Sequence, residues 1–180
     1  MLIVWTWLLA LGLMAGHGEA QNCTQIFGGP NLARGRPTSQ SSTYPVASGI
    51  VGLSSNAVDG NCDGQWSSGS CSHTCGDLNA WWSVDLGREY AISLVVVKNR
   101  EDFCGKRMRG ATIHVGDQMG DFSARSFVCG TIADIRDGSL STIFCNGAVG
   151  RFITIVIPNR VEYLHLGEVE VYGTNIPPQA

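Results

Sequence analysis

The sequence lacks three features, and each absence excludes a class of protein. The chain contains no block of Lys or Arg residues, and its net charge is -3. It therefore lacks the basic patch that proteins binding nucleic acids or anionic membranes present. After the N-terminal apolar stretch, no run is long enough to span a bilayer. No window of about twelve residues keeps a clean helical period. We therefore expect no nucleic-acid partner, no membrane insertion, and a fold built from strands.

The N-terminal end has the features of an export signal. Residues 2–15 are almost wholly apolar, and Gly18-Glu19-Ala20 has the small-x-small pattern of a signal peptidase site. We predict a signal peptide over residues 1–20, an N-terminal extension over residues 21–30, and a secreted, extracellular protein. Removing the 20 leader residues from 180 leaves about 160. That length suits one domain burying roughly two thirds of its unfolded surface.

Seven cysteines follow the predicted cleavage point, where an oxidising compartment would pair them. They are Cys23, Cys62, Cys71, Cys75, Cys104, Cys129 and Cys145. The odd number leaves at least one without a partner in the chain. Cys71, His73 and Cys75 also have a spacing that zinc ligands adopt, but export favours disulfides there. Asn22-Cys23-Thr24 is a glycosylation acceptor sequence, and the sequence does not decide whether it is used.

Strand-like runs dominate the rest of the chain and are separated by Gly, Asn, Asp and Ser. They fall at residues 81–86, 92–98, 111–115, 151–157 and 168–172. Apolar and polar side chains alternate in the first and last runs, as in half-buried strands. The pattern predicts an all-β protein, an antiparallel β-sandwich. Trp81 and Trp82 would point to opposite faces of one strand, which favours packing over an exposed sugar-stacking pair.

Four polar residues stand at a spacing that suits recognition of a small polyol. His73 is followed by 26 residues, then by Arg100 and Asp102, and after four more residues by Arg107. A guanidinium presents a planar fork of donors that can bridge adjacent hydroxyls, and an imidazole can donate or accept beside it. Glycoside cleavage normally needs two carboxylates, and this set contains only Asp102. We therefore predict a binding protein without catalytic residues.

At these residues the chain resembles the F-type lectin (fucolectin) family, whose motif is His, 26 residues, Arg-x-Asp, four residues, and Arg or Lys. Other family-like stretches are NLA at residues 31–33, NAVDGN at 56–61, WWSVDLG at 81–87 and GEVEVY at 167–172. The resemblance covers residues 31–173 as one lectin domain and leaves residues 174–180 as a C-terminal tail. It implies a jelly-roll, discoidin-like β-sandwich.

The resemblance implies a role for each residue of the motif. His73, Arg100 and Arg107 would hydrogen-bond the ring oxygen and hydroxyls of α-L-fucose. Asp102 would hold a guanidinium in place. A sugar without the matching hydroxyl would leave a partly desolvated donor unpaired, at a cost of roughly 1 to 3 kcal/mol, and specificity would come from that cost.

The methyl group of fucose should meet an apolar surface, for which Trp66 and Phe103 are our candidates, although either could serve the core. Many family members have two adjacent cysteines after the Asp of the motif, whereas this chain has Phe103-Cys104. The vicinal disulfide of those members cannot form here. A phenyl ring offers equivalent apolar contact, so we expect fucose binding with an altered preference for substituents near the methyl.

The resemblance also implies disulfides. Cys129 with Cys145 matches a family pair. The family often has a cysteine at the position of Gly167 that bonds to the one aligned with Cys71, so Cys71 needs another partner. Our hypothesis pairs Cys62 with Cys71 and Cys75 with Cys104, and leaves Cys23 free or intermolecular.

A calcium site would explain how the long polar segment of residues 48–80 is ordered. In the family, the implied ligands are Asn56, Asp59, Asn61, Ser70, Gly167 through its backbone carbonyl, and Glu168. Oxygen ligands of this kind suit Ca²⁺. Asp59-Gly60-Asn61 could equally form an ordinary turn, but Glu168 favours the calcium site.

These inferences predict a secreted lectin that binds terminal α-L-fucose on glycans and glycoproteins. One sugar makes few contacts, so useful avidity would need a homo-oligomer. The alternative is a discoidin-like adhesion module that binds protein or lipid through apolar loop tips. Innate immune recognition and cell or gamete recognition both remain open.

Overall fold

The computed structural model describes residues 23, 29–45 and 49–176. The predicted signal peptide, Asn22, and residues 177–180 of the predicted tail lie outside the described residues. No helix within the described part of the chain is long and apolar enough to cross a membrane.

Ten strands and three short 3₁₀ helices make up the described fold. The strands are β1 (Thr38–Gln40), β2 (Ser72–His73), β3 (Asp77–Leu78), β4 (Trp81–Lys98), β5 (Thr112–Gly116), β6 (Phe127–Thr131), β7 (Leu140–Val156), β8 (Val161–Glu162), β9 (His165–Leu166) and β10 (Glu168–Asn175). The 3₁₀ helices are Ser54–Val58, Trp66–Ser68 and Gly105–Met108. The prediction of an all-β fold is confirmed.

One large antiparallel sheet carries the core. Its order is β1-β4-β7-β5-β6, and β10 pairs with β4 as well. Two small antiparallel pairs, β2 with β9 and β3 with β8, lie apart from it. Hydrophobic side chains from β4, β5, β7 and β10 form one buried cluster, which includes Trp82, Ile113, Ile155 and Val171. Each such aliphatic side chain stabilises the fold by about 1.5 to 3 kcal/mol when fully buried.

The two central strands are longer than the sequence runs suggested. The predicted runs 81–86 and 92–98 form the single strand β4, which bends where its register with β7 shifts between Asp85 and Tyr90. Gly87 has φ +86 at this bend, a conformation that side chains beyond glycine rarely adopt. Trp82 is fully buried, and its indole N–H donates to the Ser54 carbonyl at 2.9 Å. Trp81 packs against Gly120, so the packing interpretation of both tryptophans holds.

Two of the three predicted disulfides are wrong, and so is the prediction that Cys23 is free or intermolecular. Cys129–Cys145 is confirmed and joins β6 to β7. The second disulfide is Cys23–Cys62, so the pairing of Cys62 with Cys71 is wrong. Cys71 does not pair with Cys62 because of the direction of its side chain. That side chain points inward and is fully buried, with its Sγ 3.2 Å from the Gly64 carbonyl oxygen. Burial raises the pKa of the Cys71 thiol to about 12.

The hypothesis of a Cys75–Cys104 disulfide is also wrong, because both side chains are free thiols. The Sγ of Cys75 points to the Thr43 carbonyl at 3.5 Å. Among the described residues, no group of three or more His, Cys, Asp and Glu side chains is arranged to hold a metal, which leaves the zinc alternative at Cys71, His73 and Cys75 without support.

Candidate functional site

Five of the six predicted sugar-contact residues line one cavity of about 250 Å³. They are Trp66, His73, Arg100, Phe103 and Arg107. Separate segments supply them: a 3₁₀ helix begins at Trp66, β2 ends at His73, the loop after β4 carries Arg100 and Phe103, and the 3₁₀ helix Gly105–Met108 carries Arg107. The structure therefore brings together side chains that are far apart in sequence. Their contact with sugar stays a prediction.

Arg100 is held rigidly, and Asp102 is the group that holds it. The Nε and Nη2 atoms of Arg100 donate to the two carboxylate oxygens of Asp102 at 2.5 and 2.7 Å. Burial disfavours the charged carboxylate, but the hydrogen bonds and charge of Arg100 outweigh it, so the pKa of Asp102 is lowered. The guanidinium also lies 3.9 Å from the ring centre of Phe103 and 5.4 Å from that of Trp66. The remaining N–H groups of the fork are thereby oriented before a ligand arrives.

Arg107 is held more loosely than Arg100. Its Nε lies 3.6 Å from a carboxylate oxygen of Glu162, and its guanidinium lies 4.7 Å from the ring centre of Tyr163. The Arg107 side chain is 30% exposed, whereas that of Arg100 is 4% exposed. The site thus combines one fixed and one adaptable guanidinium.

His73 is a neutral acceptor at the base of the cavity. Its Nδ1 lies 2.7 Å from the Thr74 carbonyl oxygen, which can only accept, so Nδ1 carries the hydrogen and Nε2 keeps a lone pair. Burial lowers the pKa of His73 to about 4, and the charges of Arg100 and Arg107 act in the same direction. At neutral pH the site therefore pairs two charged donors with one uncharged acceptor.

His165 lies behind His73 on the paired strand β9, with ring centres 5.6 Å apart. It is fully buried, and burial lowers its pKa to about 3. Its Nε2 lies 3.2 Å from the carbonyl oxygen of Cys104, whose φ is +70. This is the structural role that its flanking leucines indicate in the sequence, since it holds the loop between the two arginines.

Two tyrosines in the cavity wall were missed by sequence reasoning. The Tyr44 ring centre lies 4.7 Å from that of His73, and Tyr163 packs edge-on to His73 at 5.8 Å. Tyr44 is positioned by its backbone N–H, which donates to the His73 carbonyl at 2.8 Å. Neither residue has a fixed spacing to the motif. An aromatic side chain in an otherwise polar loop was the only available signal.

The predicted calcium ligands also come together, and calcium binding itself stays a prediction. Glu168 is 1% exposed, and one of its oxygens accepts the Gly60 N–H at 3.1 Å. The other oxygen is buried and has no hydrogen-bond partner among the described residues. Burial and the nearby Asp59 carboxylate raise the pKa of Glu168 to about 8. An unpaired buried carboxylate oxygen beside a second carboxylate is what a divalent cation would satisfy.

Asn56, Asn61 and Ser70 lie on the same polar segment as Asp59, and Gly167 directly precedes Glu168. An Asp59 oxygen accepts the Asn61 N–H at 2.7 Å, which makes the turn that the sequence also allowed. The Asn56 side-chain amide donates to the Gly69 and Cys71 carbonyls at 2.9 and 3.1 Å, which ties Asn56 to the far end of this segment. The Ser70 hydroxyl contacts the Asp63 carbonyl. Gly167, where β10 is about to begin, donates its N–H to Lys98 at 2.9 Å. The donor set fits a hard cation.

Residues 56–155 match a family model described as NedA-like, galactose-binding domain. Among curated relatives, Fucolectin-6 of Anguilla japonica is 44% identical over 118 residues, which are 65% of this chain and 61% of that protein. Fucolectin-1 of the same species is 39% identical over 140 residues, 77% of each. The chain thus spans less than two thirds of Fucolectin-6 but most of Fucolectin-1.

Solved structures give the same picture. An f-lectin (fucolectin) from striped bass (Morone saxatilis) serum has a TM-score of 0.74 at 39% identity, over 82% of this chain and 48% of that chain. The lectin domain of lectinolysin, complexed with Lewis B antigen, has a TM-score of 0.69 at 29% identity, over 81% of this chain and 97% of that one. These relatives are lectins and lectin domains, so the predictions of a discoidin-like sandwich and of a non-catalytic protein are confirmed.

Proposed function

The chain belongs to the F-type lectin (fucolectin) family, and on that basis we propose that it is a secreted, calcium-dependent lectin for terminal α-L-fucose on glycans and glycoproteins. The observation that carries this proposal is the convergence of Arg100, Arg107 and neutral His73 on one cavity of about 250 Å³. The names of the fucolectin relatives support the choice of fucose.

The sugar would be bound by two donating guanidiniums and one accepting imidazole. The two guanidiniums can donate to the ring oxygen and to adjacent hydroxyls, while Nε2 of His73 accepts from a hydroxyl. Because Arg100 is almost fully buried, a sugar that leaves its fork unmatched strands a desolvated charged donor, which costs about 1 to 3 kcal/mol. Phe103 and Trp66, which flank the Arg100 guanidinium, offer the apolar surface for the sugar's methyl group.

Calcium would act on structure rather than on the sugar. Asn56, Asp59, Asn61, Ser70, Gly167 and Glu168 would hold the ion, and the unpaired Glu168 oxygen supports this assignment. Four of these ligands, Asn56, Asp59, Asn61 and Ser70, flank Trp66 and precede His73 along the chain, so fixing their loop would also fix one wall of the cavity.

A homo-oligomer would supply avidity, and exposed apolar side chains on β6 and β7 offer it a contact surface. They are Phe127, Val128, Leu140, Phe144 and Val149, each 45% to 60% exposed. Exposed apolar patches of this kind often mark protein interfaces. Light scattering coupled to size exclusion should give an oligomer for the native protein and smaller species for Phe144→Ser. A strictly monomeric native protein would contradict this part of the proposal.

A specific observation supports the adhesion module as the second candidate. Leu78 on β3 and Val161 on β8 are cross-strand partners, and each is 66% exposed. They form an apolar tip next to Glu162 and Tyr163 at the edge of the cavity. The double variant Leu78→Ser, Val161→Ser separates the candidates: a lectin keeps its glycan binding, whereas a tip-binding adhesion module loses its partner.

A glycan array probed with calcium and with a chelator tests the main proposal. We expect fucosylated glycans to dominate the bound set with calcium and to be lost with chelator. Bound glycans that share no fucose would refute fucose as the ligand. Unchanged binding in chelator would refute only the calcium dependence.

A further inference from the structure

A second cavity lies beside the end of the β4–β10 pairing where Asn175 meets Tyr90. Its volume is about 520 Å³, and its polar lining comprises Asn31, Arg34, Arg36, Arg88, Tyr90 and Asn175. Asn175 pairs with Tyr90, and at about 3.3 Å per residue it lies roughly 20 Å along β10 from Glu168. The lining holds three arginines, and none of its described residues is an acid. Fucose binding requires none of these residues.

Arg88 is oriented by neutral groups. Its guanidinium lies 4.9 Å from the ring centre of Tyr90, and its Nη2 donates to the side-chain oxygen of Asn175 at 2.7 Å. Neither partner carries a negative charge. The side chain is therefore fixed at the cavity wall while its positive charge is left uncompensated by these contacts.

Arg36 has a nearby acid that is already engaged. Arg36 lies beside the β4 bend, and its Nη1 is 3.0 Å from the position that a Cβ at Gly87 would occupy. The nearby carboxylate is that of Asp85, whose pKa is lowered first by Arg151 and only weakly by Arg36. Both Asp85 oxygens accept from Arg151, each at 2.6 Å. Arg36 thus adds a second positive charge to the cavity.

Buried donors complete the lining. The Asn31 side-chain oxygen accepts the N–H groups of Ala33 and Val171, both at 3.0 Å, which fixes the amide and turns its Nδ2 away from them. That Nδ2 is buried without a partner among the described residues. The Arg34 guanidinium instead packs against Gly60, and its charge acts on the Asp59 and Glu168 carboxyl groups, so Arg36 and Arg88 carry the net positive charge of the cavity. Buried donors are nearly always paired, and a lining of donors matches a ligand of acceptors.

We propose that this cavity binds an oxyanion, a sulfate or carboxylate group, through ion pairs with Arg36 and Arg88 and a hydrogen bond from Asn31. An ionised acceptor strengthens each of these bonds. The cavity has about twice the volume of the one around His73, so it has room for a free ion and for a charged group carried on a saccharide.

Titration of ¹⁵N-labelled native protein with sodium sulfate and, separately, with galactose 6-sulfate tests the proposal at constant ionic strength. Saturable shifts centred on residues 31–36 and 88–90 are expected. Binding of both probes assigns a site for the free anion, and binding of galactose 6-sulfate alone assigns a site for the sulfated sugar. No saturable shift with either probe, or shifts confined to residues outside these segments, overturns the proposal without bearing on fucose binding.

The double variant Arg36→Gln, Arg88→Gln should weaken the anion about tenfold or more, because two charge-assisted bonds are lost. The double variant Arg125→Gln, Arg136→Gln is the matched control, since it removes the same two positive charges from exposed side chains outside this cavity. L-Fucose titration of each variant checks that it is folded. Equal anion affinity in the folded Arg36 and Arg88 double variant and the native protein would overturn the proposal, and if that variant does not fold, Arg88→Gln alone takes its place.

Discussion

The cavity around His73 and the loop around Glu168 differ in how completely the protein satisfies their polar groups. In the cavity, Arg100 has both oxygens of Asp102, and His73 is neutral with its Nδ1 hydrogen bonded. In the loop, Glu168 keeps one buried oxygen without a partner among the described residues. The hydrogen-bonding groups of Arg100 and His73 are therefore paired within the chain, whereas Glu168 keeps a buried oxygen for an added cation. Four experiments can break or sharpen this contrast.

Loss of the Arg100 fork should have the largest effect. Arg100→Gln removes charge-assisted hydrogen bonds to the sugar and leaves Asp102 without its partner, so L-fucose affinity should fall about 100-fold, or roughly 3 kcal/mol. Isothermal titration calorimetry measures it.

Arg136→Gln is the matched control. Arg136 also pairs with an Asp two residues away, Asp134, but its side chain is 84% exposed and far from the cavity lining. Exposed pairs of this kind contribute little. Equal fucose affinity in Arg100→Gln and Arg136→Gln would show that the fork does not hold the sugar.

Removal of the loop's charge should have the next largest effect. Calcium at about 100 times its Kd should stabilise the native protein by roughly 2.7 kcal/mol, because it binds the folded state. Glu168→Gln should abolish that gain, while its stability in chelator should change little, because the raised pKa of about 8 keeps the Glu168 carboxyl largely protonated at neutral pH without the ion. Urea unfolding with and without calcium measures both, and exposed Glu89→Gln is the control. A full calcium response in Glu168→Gln would remove the ion from this loop.

Acidification should act through the histidine. The folded-state pKa of His73 is about 4, below the ordinary histidine value of 6.5, so between these two pH values the unfolded chain binds a proton at His73 and the folded chain does not. Stability should therefore fall as pH drops from about 6.5 to about 4. Urea unfolding at several pH values in this range measures the free energy of unfolding. That free energy should fall less steeply with decreasing pH in His73→Asn than in the native protein. Parallel slopes would mean that His73 is not buried in its neutral form.

The smallest effect should come from the phenyl ring. Phe103→Ala removes the ring that lies 3.9 Å from the Arg100 guanidinium. A partly exposed cation–π contact is worth about 1 kcal/mol, so fucose should bind roughly three- to tenfold more weakly. Phe122→Ala is the control, because Phe122 is also a partly exposed phenylalanine and lies outside the cavity lining. Equal losses in both variants would point to a general effect on stability, which a melting curve would reveal.

The sequence predicted most of the site because its motif resembles that of a known family. The charged run from Lys98 to Arg109 marks a loop between β-rich runs, and the resemblance to the F-type lectin motif placed Arg100 and Arg107 together. Tyr44 and Tyr163 were missed because aromatic residues serve cores and cavities alike. Only coordinates show which way such a ring points.

The disulfides and strand limits were harder to predict for the same directional reason. Cys62 lies nine residues from Cys71, yet Cys71 points into the domain and Cys62 joins Cys23. Strand β6 was missed because Phe127 and Val128 are both exposed and break the alternation expected of a half-buried strand. Spacing along the chain carries no record of which face a side chain occupies.

The tautomer of His73 limits what kind of oxygen can sit above it. A lone pair on Nε2 attracts a hydroxyl hydrogen and repels an ether oxygen, because the ether can only accept. O-methylation of the sugar at that oxygen would replace an attraction with a repulsion and add bulk where the ring is nearest. Methylation at this position would prevent an otherwise suitable glycan from binding, while the rest of the saccharide stays unchanged.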